Sequence, residues 1–101
     1  MARLSYAPRA LDDLDRLVDF LFQRDPQAAL QTVELVTEAV RILENHPPIG
    51  RPAEEGLREL VISRGRSGYL ALYGYVEAQD AAVILAVRHQ REAGYPEPPH
   101  A

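Results

Sequence analysis

Residues 46–56 read HPPIGRPAEEG, and three prolines with two glycines in eleven positions are too many for either helix or strand, so the segment reads as a connecting loop. The hydrophobic period changes across this break. Before it, Leu11, Leu14, Val18 and Leu21, with Leu17 and Phe22 beside them, recur at the three-and-four spacing of an amphipathic helix, and Ala29, Val33, Val36, Val40 and Leu43 repeat the pattern. After it come LRELVIS, YLALYGYV and AAVILAVRHQ, runs of branched and aromatic residues separated by RGRSG and EAQD, which read as strands. The chain therefore splits into a helical half and a sheet-forming half, and the two must bury their apolar faces against each other.

The boundaries follow from local chemistry. RLSYA, residues 3–7, alternates like a short strand, and Pro8 ends it and opens a helix over about 8–23. Asp12, Asp13 and Asp15 sit near the positive end of that helix dipole. Asp25 is placed to cap a second helix whose first residue is Pro26 and which runs to about residue 45, with Thr32, Glu34, Thr37, Glu38 and Arg41 on its solvent side. The short connection makes the helices an antiparallel hairpin. The expected fold is α+β, in the order βααβββ, with the hairpin packed on one face of a three-stranded antiparallel meander. The first strand should join an edge of the meander; either edge is open to it. Residues 83–87 are apolar on both faces, so the last strand should lie inside the sheet. One domain is expected over residues 1–95, with an extended or disordered tail at 96–101.

Charge and composition narrow the function. The net charge is −4 over 101 residues, against a chain whose main task is to grip a nucleic acid backbone, and direct DNA binding is not expected. Residues 1–48 hold five arginines against eight acids, whereas 49–96 hold six against six; no lysine occurs. Without cysteine, and with histidines only at 46, 89 and 100, no metal or other cofactor is expected. No run approaches the roughly 20 apolar residues of a membrane helix and no signal-peptide core follows the start, so the expected location is the cytoplasm with no membrane partner.

The order of elements, together with SYAPRALDDLDRLVDFL, DPQAA, HPPIGRP, LREL and VILAVRHQREAGY, resembles the ParE/RelE superfamily of toxins from type II toxin–antitoxin modules. The resemblance implies a cognate antitoxin as partner and one of two targets: DNA gyrase for ParE-like members, messenger RNA on the ribosome for RelE-like members. The scaffold alone does not choose between them. RNA cleavage needs a base, an acid and cations on the developing phosphorane. His89 with Arg64 or Arg91 offers part of that set, and Glu54, Glu55 or Glu59 could complete it, although strand alternation puts Arg88 and His89 on opposite faces. The absence of lysine, the acid balance and the lack of an evident acid–base pair favour the ParE-like reading, a gyrase-binding toxin with no catalytic residues. A well-ordered carboxylate, imidazole and guanidinium together in one open pocket would undo the non-enzymatic reading. A degenerate toxin, retained only to bind its antitoxin, is a third reading.

For the ParE-like toxin, Arg88, Arg91 and the segment through Tyr95 are the expected target-binding tip, because strand ends are accessible. If the hairpin covers the face of Leu70, Leu72 and Val76, then Tyr69, Tyr73 and Tyr75 form an aromatic stripe on the other face, suited to an antitoxin segment and rimmed by Arg64 and Arg66. Gly50 is expected to supply an unusual backbone angle ahead of Pro52, and Arg51 to pair with a carboxylate of the second helix.

Overall fold

The computed structural model describes residues 1–63 and 68–92. Strand β1 (Arg3–Tyr6) leads into α1 (Pro8–Phe22) and α2 (Pro26–Val40), and two 3-10 turns over 41–44 and 47–49 bring the chain to β2 (Arg51–Pro52). A further 3-10 turn precedes β3 (Arg58–Ile62), β4 (Tyr69–Val76) and β5 (Ala81–His89). The five strands form one sheet in the order β1-β5-β4-β3-β2. β3, β4 and β5 are the antiparallel meander, and β1 joins its β5 edge in parallel, so β5 is interior. Among the described residues no helix is long and apolar enough to cross a membrane.

The helix starts are those the sequence indicates. Pro8 and Pro26 stand at the first helical positions, and the Asp25 carboxylate accepts from the amides of Gln27 and Ala28 at 3.1 and 3.3 Å. Ala10, Leu14 and Leu17 of α1 meet Val36 and Val40 of α2, with Leu43 beyond them, over a floor of Ile62, Ile84 and Val87. Leu11 and Phe22, counted in the apolar stripe by spacing, are exposed on the far side of α1. Thr32, assigned by spacing to solvent, is buried, with its hydroxyl 3.4 Å from that of Tyr69.

That contact reflects the main correction to the sequence reading. The hairpin covers the face of Tyr69, Ala71 and Tyr73, not that of Leu70, Leu72 and Val76. A phenol can be buried when its hydroxyl finds partners, and both of these do. Tyr73 donates to the carbonyl of Pro47 at 2.5 Å and accepts from the amide of Gly50 at 2.8 Å. Tyr69 and Tyr73 thus belong to the core, and only Tyr75, 38% exposed, stands at the surface, where its hydroxyl lies 2.6 Å from Asp80.

Tyr73 also explains the HPPIGRP segment. Gly50 has φ −67°, which any residue can adopt, so its expected unusual backbone angle is not found. What requires glycine is close approach: a Cβ there would lie 2.6 and 2.7 Å from the Tyr73 ring and hydroxyl and 3.0 Å from the Glu59 carbonyl. The Gly50 carbonyl accepts from Arg58 at 2.8 Å, so both its backbone groups are held. Arg51 pairs with Glu59 of β3 at 2.9 Å rather than with α2, since β2 and β3 place these two residues opposite each other.

Candidate functional site

The end of β5 is shaped by two departures from a regular ladder. Leu72 lies opposite Ala86 and Tyr73 opposite Ile84, so Leu85 is the extra residue of a β-bulge. The bulge lets Ile84 and Val87, three apart, both face the helices. The second departure is that β1 is only four residues long and pairs with β5 no further than Tyr6 opposite Ile84. Beyond that point, among the described residues, the outer edge of β5 has no strand beside it. The amide of Gln90 donates to Gly68 on the β4 side, so by alternation those of Val87 and His89 point to the vacated edge.

Two carboxylates occupy the place of the missing strand. Asp13 of α1, 2% exposed, accepts from the Val87 amide at 2.9 Å, and Glu92 accepts from the His89 amide at 3.2 Å. Arg16, one turn beyond Asp13 on α1, joins them: it donates to Glu92 at 3.0 Å and lies 3.9 Å from Oδ1 of Asp13, the same oxygen that Arg9 approaches at 3.4 Å. A buried carboxylate with one amide and two guanidinium neighbours has its charge compensated. Spacing alone assigns Asp13 to the helix dipole and gives Glu92 no role; the amides they hold lie 74 and 3 residues away along the chain.

Beside this edge an open groove of about 680 Å³ runs between α1 and the ends of β4 and β5. Its apolar wall is Leu17, Phe20, Leu21 and the Tyr69 ring, and its polar rim is Arg16, Arg24, His89, Arg91 and Glu92. Arg24 stacks over Phe20 with its guanidinium carbon 4.7 Å from the ring centroid, and His89 meets Tyr69 edge-on with centroids 5.2 Å apart.

The groove gathers an imidazole, a carboxylate and guanidinium groups, the combination that speaks for catalysis. Three of these groups are engaged with one another or with the backbone: Arg16 with Glu92, Glu92 with the His89 amide, and the His89 ring with the Arg91 amide. The His89 Nδ1 accepts from the Arg91 amide at 3.1 Å, which engages that ring nitrogen with the backbone of the turn. Glu92 bonds the His89 amide and Arg16 rather than the imidazole. His89 and Arg91 share this groove, while Arg88, opposite Leu70, lies on the other face and donates to the Glu92 carbonyl at 2.7 Å, closing the turn after β5. Glu59 faces away from the helices opposite Leu72, and Glu54 and Glu55 lie at the start of β3, the end remote from Tyr69 and His89, so none of the three stands with His89. Arg64, Arg66 and Tyr95 lie outside the described residues.

Residues 4–94 match the family described as ParE toxin of type II toxin–antitoxin system, parDE. The chain belongs to the ParE toxin family. It is 35% identical over 92 residues to Toxin RelE3 of Caulobacter vibrioides, covering 91% of this chain and 98% of that one, and 37% identical over 65 residues to Toxin RelE1 of the same organism, covering 64% and 70%. Its fold is that of the chromosomal ParDE system of P. aeruginosa, at a TM-score of 0.72 and 26% identity over 88% of this chain and 96% of the other. The isolated E. coli RelE toxin shares the fold at a TM-score of 0.62 and 13% identity, covering 93% and 89%. Membership thus joins this sheet and hairpin to both the ParE and the RelE names.

Proposed function

We propose that the chain is a gyrase-inhibiting toxin that acts by binding and is neutralised by a cognate antitoxin. The observation that carries the reading is the state of His89. Its Nδ1 is engaged by the Arg91 amide, and Glu92 of the same groove is engaged by Arg16 and a backbone amide; these contacts support a braced strand end over a nuclease centre. The match of residues 4–94 to the ParE family and the likeness to a ParDE system support the same reading. On it, Arg91 in the groove and Arg88 on the opposite face, continuing towards Tyr95, are the target-binding tip, and the mechanism is stabilisation of gyrase in its DNA-cleaved state.

An antitoxin partner rests on the family and on the neighbouring structures, which include ParDE and RelBE toxin–antitoxin systems. The anchors expected for it change, because Tyr69 and Tyr73 lie beneath the hairpin and Tyr75 alone of the stripe is open to a partner.

A second reading, cleavage of messenger RNA, is favoured by one specific observation: His89, Arg91, Arg16 and Glu92 do meet at one open groove, in a chain whose curated relatives carry RelE names. Cleavage would require the His89–Arg91 hydrogen bond to break when RNA binds. Induction in growing cells separates the two. Gyrase poisoning raises the DNA-damage response while message lengths stay intact; cleavage shortens translated messages without that response, and His89→Ala abolishes the shortening.

A further inference from the structure

The buried Asp13 carboxylate has no part in target contact as proposed above, yet it is among the most enclosed charged groups among the described residues. Its place in the fold shows its use. Past Ile84 the outer edge of β5 has lost β1, and a strand edge with free amides is both loose and open to pairing with another chain. Asp13 and Glu92 fill successive outward amides, those of Val87 and His89, and Arg16 spans the two carboxylates. The four residues after the bulge are thereby tied to α1 by side chains instead of by a neighbouring strand.

From this geometry we infer that Asp13 and Arg16 are positioning residues for the strand-end tip: together with Glu92 they fix where His89 and Arg91 stand in the groove, without touching the target themselves. The consequence for function rests on the reading of the tip as the target-binding element; the consequence for local order does not. Asp13 sets the first outward amide after the bulge. Arg16 transmits that position to Glu92, and Glu92 holds the amide of His89, whose ring in turn receives the amide of Arg91. Each link is a hydrogen bond or ion pair made to a group fixed by the previous one, so removal of the middle link frees the end of the chain while leaving the bulge in place.

Arg16→Met is the informative variant, because the Arg16 side chain is 41% exposed and Arg9 remains beside the buried Asp13 carboxylate when it is lost. Amide hydrogen exchange by NMR should rise about tenfold or more at His89 and Arg91, while Ile84, between β1 and β4, changes less than about twofold. The concentration of toxin that inhibits gyrase should rise about tenfold. Glu92→Ala should do the same, and the double variant Arg16→Met/Glu92→Ala should be no worse than the more damaging single change, since both break one path. Unchanged exchange at His89 and Arg91 in Arg16→Met, or losses of inhibition that multiply in the double variant, would overturn the inference, the second by showing separate direct contacts. If Arg16→Met disturbs Ile84 as well, Glu92→Ala carries the same comparison. Should the wild-type chain leave gyrase untouched, the target reading falls while the exchange measurement still decides the positioning role.

Discussion

Tyr73→Phe isolates a single hydroxyl at the centre of the fold. The ring of Tyr73 is fully buried and would be retained, so the packing term is close to unchanged. The hydroxyl is the hydrogen-bond partner of the buried Gly50 amide and of the half-buried Pro47 carbonyl. An unsatisfied buried donor costs about 1–3 kcal/mol, whereas the Pro47 carbonyl, nearer solvent, can recover a water. The expected loss is therefore about 2 kcal/mol. For a domain of this size each kcal/mol moves the midpoint by roughly 4–8 °C, so a fall of about 10 °C is expected. Thermal unfolding followed by circular dichroism, with urea titration to confirm an unchanged slope, measures it. A loss below about 0.5 kcal/mol, the size of an ordinary surface change, would show that the phenol does not pin the 47–50 turn to the sheet.

Three further outcomes follow from the same contacts. Gly50→Ala should destabilise by at least about 2 kcal/mol by overpacking, and its cost should shrink in a Tyr73→Leu background, where the ring and hydroxyl that the new Cβ meets are gone; equal cost in both backgrounds would put the strain on the Glu59 carbonyl instead. Burial raises the pKa of Tyr73 above the ordinary value of 10.0, with the Gly50 hydrogen bond and Arg58 opposing it, and burial raises Tyr6 as well. A phenol with a raised folded pKa stabilises the fold in full below the unfolded value and loses that contribution as pH climbs through the folded one, so urea midpoints should hold between about pH 7 and 9 and fall above about pH 10; Tyr73→Phe should flatten part of the fall. Asp25→Ala removes the carboxylate that caps α2 and should cost about 1 kcal/mol in the same titration.

Much of the architecture is written in local pattern. The two proline starts, the Asp25 cap and the interior position of the last strand all depend on residues near one another in the chain, and all are found, whereas the loop expected over 46–56 carries 3-10 turns and the short edge strand β2. What local pattern misses depends on contacts across the fold. Alternation separates the tyrosine face of β4 from the leucine face but does not say which the hairpin covers; Tyr69 and Tyr73 are buried beneath it, where Thr32, Pro47 and Gly50 meet their hydroxyls from far along the chain. The Leu85 bulge is invisible in the sequence because VILAV is apolar on both faces, so a one-residue shift leaves no mark in the hydrophobic pattern. Asp13 stands in an acidic run at a helix start, where the dipole gives it a sufficient local reason; only the shortness of β1 beside a longer last strand hints that the far amides of β5 need other acceptors.

The same blindness applies to the site. His89 and Arg91 can be named from their place at a strand end, and alternation correctly separates Arg88 from His89. Glu92 and Arg16 cannot, since their role appears only when α1 is laid along the edge of β5. The glutamates that sequence offers for the groove stand before and within β3, whereas the carboxylate that completes it follows β5, and its bonds to Arg16 and the backbone make it a brace.

On the proposed function, the groove end binds a protein target and performs no chemistry. Gyrase incubated with ATP, supercoiled plasmid and the purified chain tests it most directly, by counting protein-linked DNA breaks released by detergent and protease. The expected result is breaks that rise with toxin concentration, weaken strongly in Arg91→Ala and persist in His89→Ala. Plasmid left unbroken at every toxin concentration, alongside ribosome-bound message that the same preparation cuts and His89→Ala spares, would contradict it.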